Sequence, residues 1–196
     1  RSPHIDALRF IDSSGAWSPD GESFAFVVDR RGDNAVAIAD VSTRKTQRVI
    51  ELAGVGAVYQ LAWSPDGGRL AISGSSGGIS DLFLYDLETD QLRRLTDDRY
   101  ADLQPAWSPD GRRLVFSTDR GPGTDMEALT FAPMRPALYD LATEQITLIP
   151  IDEEVSHTNP VFAPDGGGIY LLADPEGVRD LFFYRFASES LEGVSS

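Results

Sequence analysis

Gly74-Ser75-Ser76-Gly77-Gly78 satisfies G-x-S-x-G, the turn that presents a serine nucleophile in many hydrolases. That chemistry needs a strand before the serine and a helix after it, so that the hydroxyl stands on a strained turn. Here the motif lies between RLAIS and DLFLY, which both read as strands, so a Gly/Ser hairpin is expected and no hydrolase. His4 and His157 are the only histidines, and neither HExxH nor His-x-His occurs. Zinc chemistry through histidine therefore has no basis, and the absence of cysteine removes thiolate sites and disulfides. Acidic residues cluster at Asp97, Asp98 and Asp102 and at Asp152, Glu153 and Glu154. Calcium takes six to eight oxygens, but the spacing matches no EF-hand loop. These carboxylates read as solvated loop charge, and neither a metal nor a cofactor is expected.

The formal net charge of −14 disfavours nucleic acid, whose phosphates such a surface repels. A basic peptide, a cationic protein or a metal ion suits the field better. No apolar run approaches the ~20 residues that span a bilayer, so no membrane insertion is expected. The chain starts at Arg1 without a signal-type apolar region and reads as a processed protein or a piece of a longer one.

The elements that would carry any site are set by a repeat. AWSPDG stands at 16–21, 62–67 and 106–111, with a blurred copy, VFAPDG, at 161–166. Trp17, Trp63, Trp107 and Phe162 are spaced 46, 44 and 55 residues apart. A second landmark, Asp40, Asp86, Asp140 or Arg185, follows at 23, 23, 33 and 23 residues. About ten extra residues therefore sit in the third copy, between 118 and 136. In Ser-Pro-Asp-Gly, proline presets φ, aspartate bonds local backbone and glycine takes the left-handed conformation, so each copy is a turn. Strands follow (SFAFVV, RLAIS, RRLVFS, GIYLLA, then AVAIAD, DLFLYD, PALYD, DLFFYR), and each copy reads as four strands. FAFVV, LFLY and LFFY lack polar–apolar alternation, as sheets covered on both faces do. Four strands per repeat of ~40–45 residues is the pattern of a β-propeller blade. The fold expected is all-β, with four-stranded antiparallel blades at about 15–56, 57–100, 101–155 and 156–196, and the three tryptophans as blade packing.

The recurring aromatic-Ser-Pro-Asp-Gly with a downstream DLxT element resembles the WD40-like repeats of the TolB family, also called PD40 repeats, over residues 15–196. Similar repeats occur in tricorn-type proteases and in the propellers of prolyl-oligopeptidase-like enzymes. The resemblance implies a propeller that binds proteins or peptides without catalysis, in a bacterial periplasm or outside the cell. The alternative it leaves is a substrate-gating propeller severed from a peptidase. The fourth copy departs from the pattern at Phe162, Ala163 and Arg185. Rings of this family close with six blades or more, so four blades imply a partial ring. Four blades are then a fragment of a longer ring, a small distorted ring or, the reading favoured, half of a two-chain ring of eight blades, and residues 5–12 are a candidate latching strand.

Two groups of candidate binding residues result. Ser14, Gln60, Gln104 and Asn159 stand where each inner strand begins, and are expected to face the central channel. Loops on one rim bring together the 97–102 link, the Gly121–Arg135 insertion and residues 151–157. From these, Tyr100, Asp102, Asp125, Met126, Glu127, Phe131, Arg135 and His157 are the expected contacts to a protein or peptide partner.

Overall fold

Each Ser-Pro-Asp-Gly segment joins the first strand of a sheet to the second. The Ser18 hydroxyl donates to Asp20 Oδ1 at 2.5 Å and accepts the Ser23 N–H at 2.9 Å, while Asp20 accepts the Glu22 N–H. The same bonds recur at Ser64 and Asp66 and at Ser108 and Asp110. Gly21, Gly67, Gly111 and Gly166 all close these turns at positive φ, between 67° and 77°, where a side chain would be strained.

The computed structural model describes residues 15–30, 32–175 and 177–194. Among these there is no helix, and sixteen strands form four antiparallel four-stranded sheets, each in sequence order. Blade 1 is β1 (Ala16–Trp17), β2 (Ser23–Arg30), β3 (Asp33–Asp40) and β4 (Lys45–Glu51). Blade 2 is β5 (Ala57–Trp63), β6 (Arg69–Ser76), β7 (Ile79–Asp86) and β8 (Gln91–Arg94). Blade 3 is β9 (Asp102–Trp107), β10 (Arg113–Thr118), β11 (Arg135–Asp140) and β12 (Ile146–Leu148). Blade 4 is β13 (His157–Phe162), β14 (Gly168–Ala173), β15 (Asp180–Arg185) and β16 (Ser190–Gly193). These are β-propeller blades. The chain divides after Asp97 into two compact units with two blades each.

In the first unit, Ala25, Val27, Val36 and Ile38 of blade 1 share a core with Leu61, Leu70, Ile72, Phe83 and Tyr85 of blade 2. Leu82, Phe83, Leu84 and Tyr85 are all buried in a row, so both faces of β7 are covered. In the second unit, Val115 and Ile149 of blade 3 meet Ile169, Leu171 and Tyr184 of blade 4. Trp63 packs against the first core. Trp17 does not behave as expected: it is 60% exposed and rests on Phe24 with ring centroids 5.0 Å apart. Its partner in register is Phe24, whereas the neighbouring Ala16 pairs with Ala25 on the face that packs on blade 2. Trp17 therefore lies on the other face of blade 1.

A second turn, between the third and fourth strands, repeats beside the first in three blades: the Val41 N–H donates to the Glu22 carbonyl, Leu87 to Gly68 and Leu141 to Arg112. Asp40 Oδ1 accepts from the Ser42 hydroxyl and from both the N–H and the hydroxyl of Thr43. Asp86 with Thr89 and Asp140 with Thr143 do the same. The Thr43 N–H, then the hydroxyls, pull the Asp40 pKa from 3.8 down to about 2, and Asp86 and Asp140 are lowered for the same reasons. Folded, these carboxylates release their protons more readily than unfolded, so they stabilise the fold above pH 4 and stop doing so as pH falls towards 2. The urea midpoint is expected to drop across that window, and Asp40→Asn to make the drop shallower.

Blade 4 lacks the serine of the first turn, and Asp165 there accepts only the Gly167 N–H among the side-chain bonds described. Ala163 is buried. Ala163→Ser restores the hydroxyl that the other blades use and is expected to raise stability by about 0.5–1 kcal/mol, read from thermal unfolding.

Candidate functional site

A network of polar side chains forms where three loops meet at one end of blades 3 and 4. Arg120 follows β10 and is almost fully buried. It pairs with Asp102 and, at 2.5 Å, with Asp98, donates to the Thr118 hydroxyl at 2.8 Å, and lies by the rings of Tyr100 and Phe116. Burial works against its charge, but the bonds and charges of Asp102 and Asp98 outweigh it and hold the guanidinium pKa above its ordinary value. The Ala101 N–H donates to Asp119 at 2.7 Å, so the link before β9 is tied to the start of the insertion.

The insertion's other end is tied to the 151–157 loop. The Met134 N–H donates to the Ser156 hydroxyl, the Met134 carbonyl accepts the His157 N–H at 2.6 Å, and Arg135 pairs with Glu153 at 2.7 Å. Between these anchors, Asp125 and Thr130 form a two-way backbone bridge. Asp125 caps the turn by accepting the N–H groups of Glu127 and Ala128, which lower its pKa. The tip projects Met126, Leu129 at 71% and Phe131 at 59% exposure. Leu129 has φ of 52°, left-handed for a residue that rarely adopts it.

The expected rim residues separate into two sets. Asp125, Met126, Glu127 and Phe131 are exposed and Tyr100 is half-buried under Arg99 and Arg120. Asp102, Arg135 and His157 are buried at 0%, 8% and 2% exposure, and hold the loops together from beneath. Burial pushes the His157 pKa down. Arg120 lies outside the expected contact residues. A lone arginine between a β-strand and a glycine, with Asp98 and Asp102 upstream, was the available signal.

Of the residues expected in the channel, Gln60 accepts from the Ser73 hydroxyl at 2.6 Å. Gln104 accepts from the Ser117 hydroxyl and the Asn159 N–H, both at 2.8 Å, and donates to Asn159 Oδ1 at 3.0 Å. Gln104 and Asn159 thus join the inner strands of blades 3 and 4. Ser14, His4 and the candidate latching strand at 5–12 lie outside the described residues. Gly77 and Gly78, both at positive φ, form the two-residue hairpin between β6 and β7. Ser76 thus stands at a hairpin with a strand on each side. Among the described residues no three His, Cys, Asp or Glu side chains are grouped to hold a metal.

The TolB beta propeller domain family, PD40, matches residues 9–131. The chain belongs to this family. The Tol-Pal system protein TolB of Ruthia magnifica subsp. Calyptogena magnifica is 33% identical over 86 residues, 43% of this chain and 20% of the relative. The crystal structure of TolB from Acinetobacter baumannii superposes with a TM-score of 0.74 at 22% identity, covering 93% of this chain and 43% of that one. A puromycin-hydrolyzing peptidase of Mycobacterium tuberculosis gives a TM-score of 0.68 at 17% identity, covering 93% of this chain and 29% of that one. Both structural likenesses are likenesses of fold. This PD40 chain spans about a fifth of the length of the curated relative.

Proposed function

We propose that the chain is a non-catalytic binding scaffold of the TolB type, which holds a protein or peptide partner on the loop rim of blades 3 and 4. One observation carries this reading: Met126, Leu129 and Phe131 stand exposed among Asp125 and Glu127 on a loop pinned at both ends. Apolar anchors ringed by charge on a rigid frame suit a protein surface. The relative's name places TolB in a Tol-Pal system, so a Pal protein is the first partner to try. A bacterial periplasm is the compartment proposed with it.

Titration of purified Pal into the chain is the test. Leu129→Ser with Phe131→Ser is expected to weaken binding at least tenfold while blade unfolding is unchanged. Binding indifferent to that pair, or peptide hydrolysis by the purified chain, overturns the reading. The alternative, a gating propeller of a prolyl-oligopeptidase-like or tricorn-like peptidase, draws on a likeness of fold alone. A catalytic domain encoded in the same reading frame would favour it.

A second copy is the proposed occupant of the open face of blade 4. Val161, Tyr170 and Phe183 lie side by side in register there, with Leu172 beside Leu181, and Val161 and Leu181 are exposed. A bare apolar sheet face is an association surface. Light scattering is expected to give the mass of two chains; the mass of one refutes the pairing.

A further inference from the structure

Beneath the exposed tip of the insertion lies a cavity of about 180 Å³, lined by Arg120, Gly121, Pro122, Gly123, Ala132, Pro133, Arg135 and Glu153. Its walls are the two ends of the insertion. A Cβ built on Gly121 would come within 3.2 Å of the Ala132 methyl and one on Gly123 within 3.5 Å, so the two glycines are what keep this space open. A cavity of ~150 Å³ admits benzene, so this one has room for one leucine or phenylalanine side chain.

The polar groups at the cavity are uneven in their engagement. The terminal nitrogens of Arg120 are taken by Asp98, Asp102 and Thr118. Arg135 Nη1 is taken by Glu153. Arg135 Nε is buried and has no hydrogen-bond partner among the described residues. That nitrogen is sealed from the cavity, so a ligand there is held by apolar contact rather than by this donor. The surroundings select that ligand by charge. Asp125, Glu127, Asp152, Glu153 and Glu154 are exposed on the same loops, against Arg99 as the exposed cation.

We infer that this cavity is an anchor socket for an extended basic peptide segment of a protein partner. A leucine or phenylalanine side chain enters between Gly121–Gly123 and Ala132–Pro133. Flanking lysines or arginines meet the acidic loops. The inference rests on the partner-binding reading above and names the chemistry that the site takes.

The test uses the intact chain, labelled with ¹⁵N, and the capped peptide Lys-Lys-Leu-Lys-Lys as probe. The expected result is a shift of the amide signals of Gly121, Gly123 and Ala132. Replacing the central leucine by alanine is expected to weaken binding about tenfold, from the lost apolar burial. Gly123→Ala, whose methyl meets Ala132 only at ordinary contact distance, narrows the socket without a backbone clash and is expected to weaken it as well. If the peptide leaves those amide signals unmoved, or binds equally well to Gly123→Ala, the socket is overturned. The scaffold reading survives that outcome if Pal still binds and the Leu129 and Phe131 substitutions still weaken that binding at least tenfold.

Discussion

Arg120→Ala is expected to lower the stability of the second unit by about 3–5 kcal/mol, the cost of removing one partner from a buried ion pair. The guanidinium holds Asp102, which has no exposure, and Asp98, which sits on the link before β9. It also holds Thr118 and lies beside the rings of Phe116 and Tyr100. The substitution would leave the Asp102 carboxylate deep in the fold without its ion pair, and would remove the packing of the arginine stem as well. Urea unfolding followed through the amide signals of residues 98–194 measures the loss. Arg120→Lys keeps one charge but not the fork that reaches Asp98 and Asp102 together, so it is expected to recover only part of it. Arg120→Met combined with Asp102→Leu is expected to recover more than the lysine does, because an apolar pair has no charge to leave behind. A cost below 1 kcal/mol for Arg120→Ala would mean that solvent reaches Asp102, and the view of this cluster as the rim's foundation would fall.

The cluster also marks where reading the residues reached its limit. The repeat was legible because turns are local: Pro19, Asp20 and Gly21 each act within a few bonds, and the same three types recur at fixed spacing. The ten-residue excess likewise had to fall between β10 and β11, since the landmarks on either side kept their register. The divergence of blade 4 was visible too, and its consequence is specific. Ala163 cannot offer the hydroxyl that Ser18, Ser64 and Ser108 supply, and Arg185 cannot accept the bonds that Asp40, Asp86 and Asp140 accept. Burial of charge was not legible. Asp102, Arg135 and His157 sit among other polar residues in loops, and such residues are ordinarily exposed. What buries them is pairing across 18 residues or more, Arg120 with Asp102 and Arg135 with Glu153, which no local pattern encodes. Trp17 failed for the opposite reason. Its identity with Trp63 and Trp107 is local, but burial needs a neighbouring sheet: Trp63, at the same position of blade 2, meets the core shared with blade 1, whereas Trp17 lies on the face of blade 1 turned away from blade 2.

Gly168→Ala is the second large effect expected, about 3 kcal/mol of destabilisation, at the upper end of what overpacking costs. Blades 1, 2 and 3 carry Ser23, Arg69 and Arg113 at the equivalent first residue of the second strand, so a side chain is not excluded by the blade itself. In blade 4 the space is occupied. A Cβ on Gly168 would collide with the carbonyl oxygen of Tyr184 and would stand 2.6 Å from the edge of the Phe183 ring. The carbonyl belongs to β15, whose register with β14 runs from Gly168–Arg185 to Ala173–Asp180, so it cannot retreat without loosening that pairing. The ring is free to turn, because Phe183 lies on the half-covered face with Tyr170, 4.8 Å away. The two contributions are separable by a double-mutant cycle. Phe183→Leu in the Gly168→Ala background is expected to restore the part due to the ring and leave the part due to the carbonyl. Full recovery would show that the glycine exists to seat the aromatic residue, and that the strand pairing of blade 4 tolerates a methyl as the other blades do.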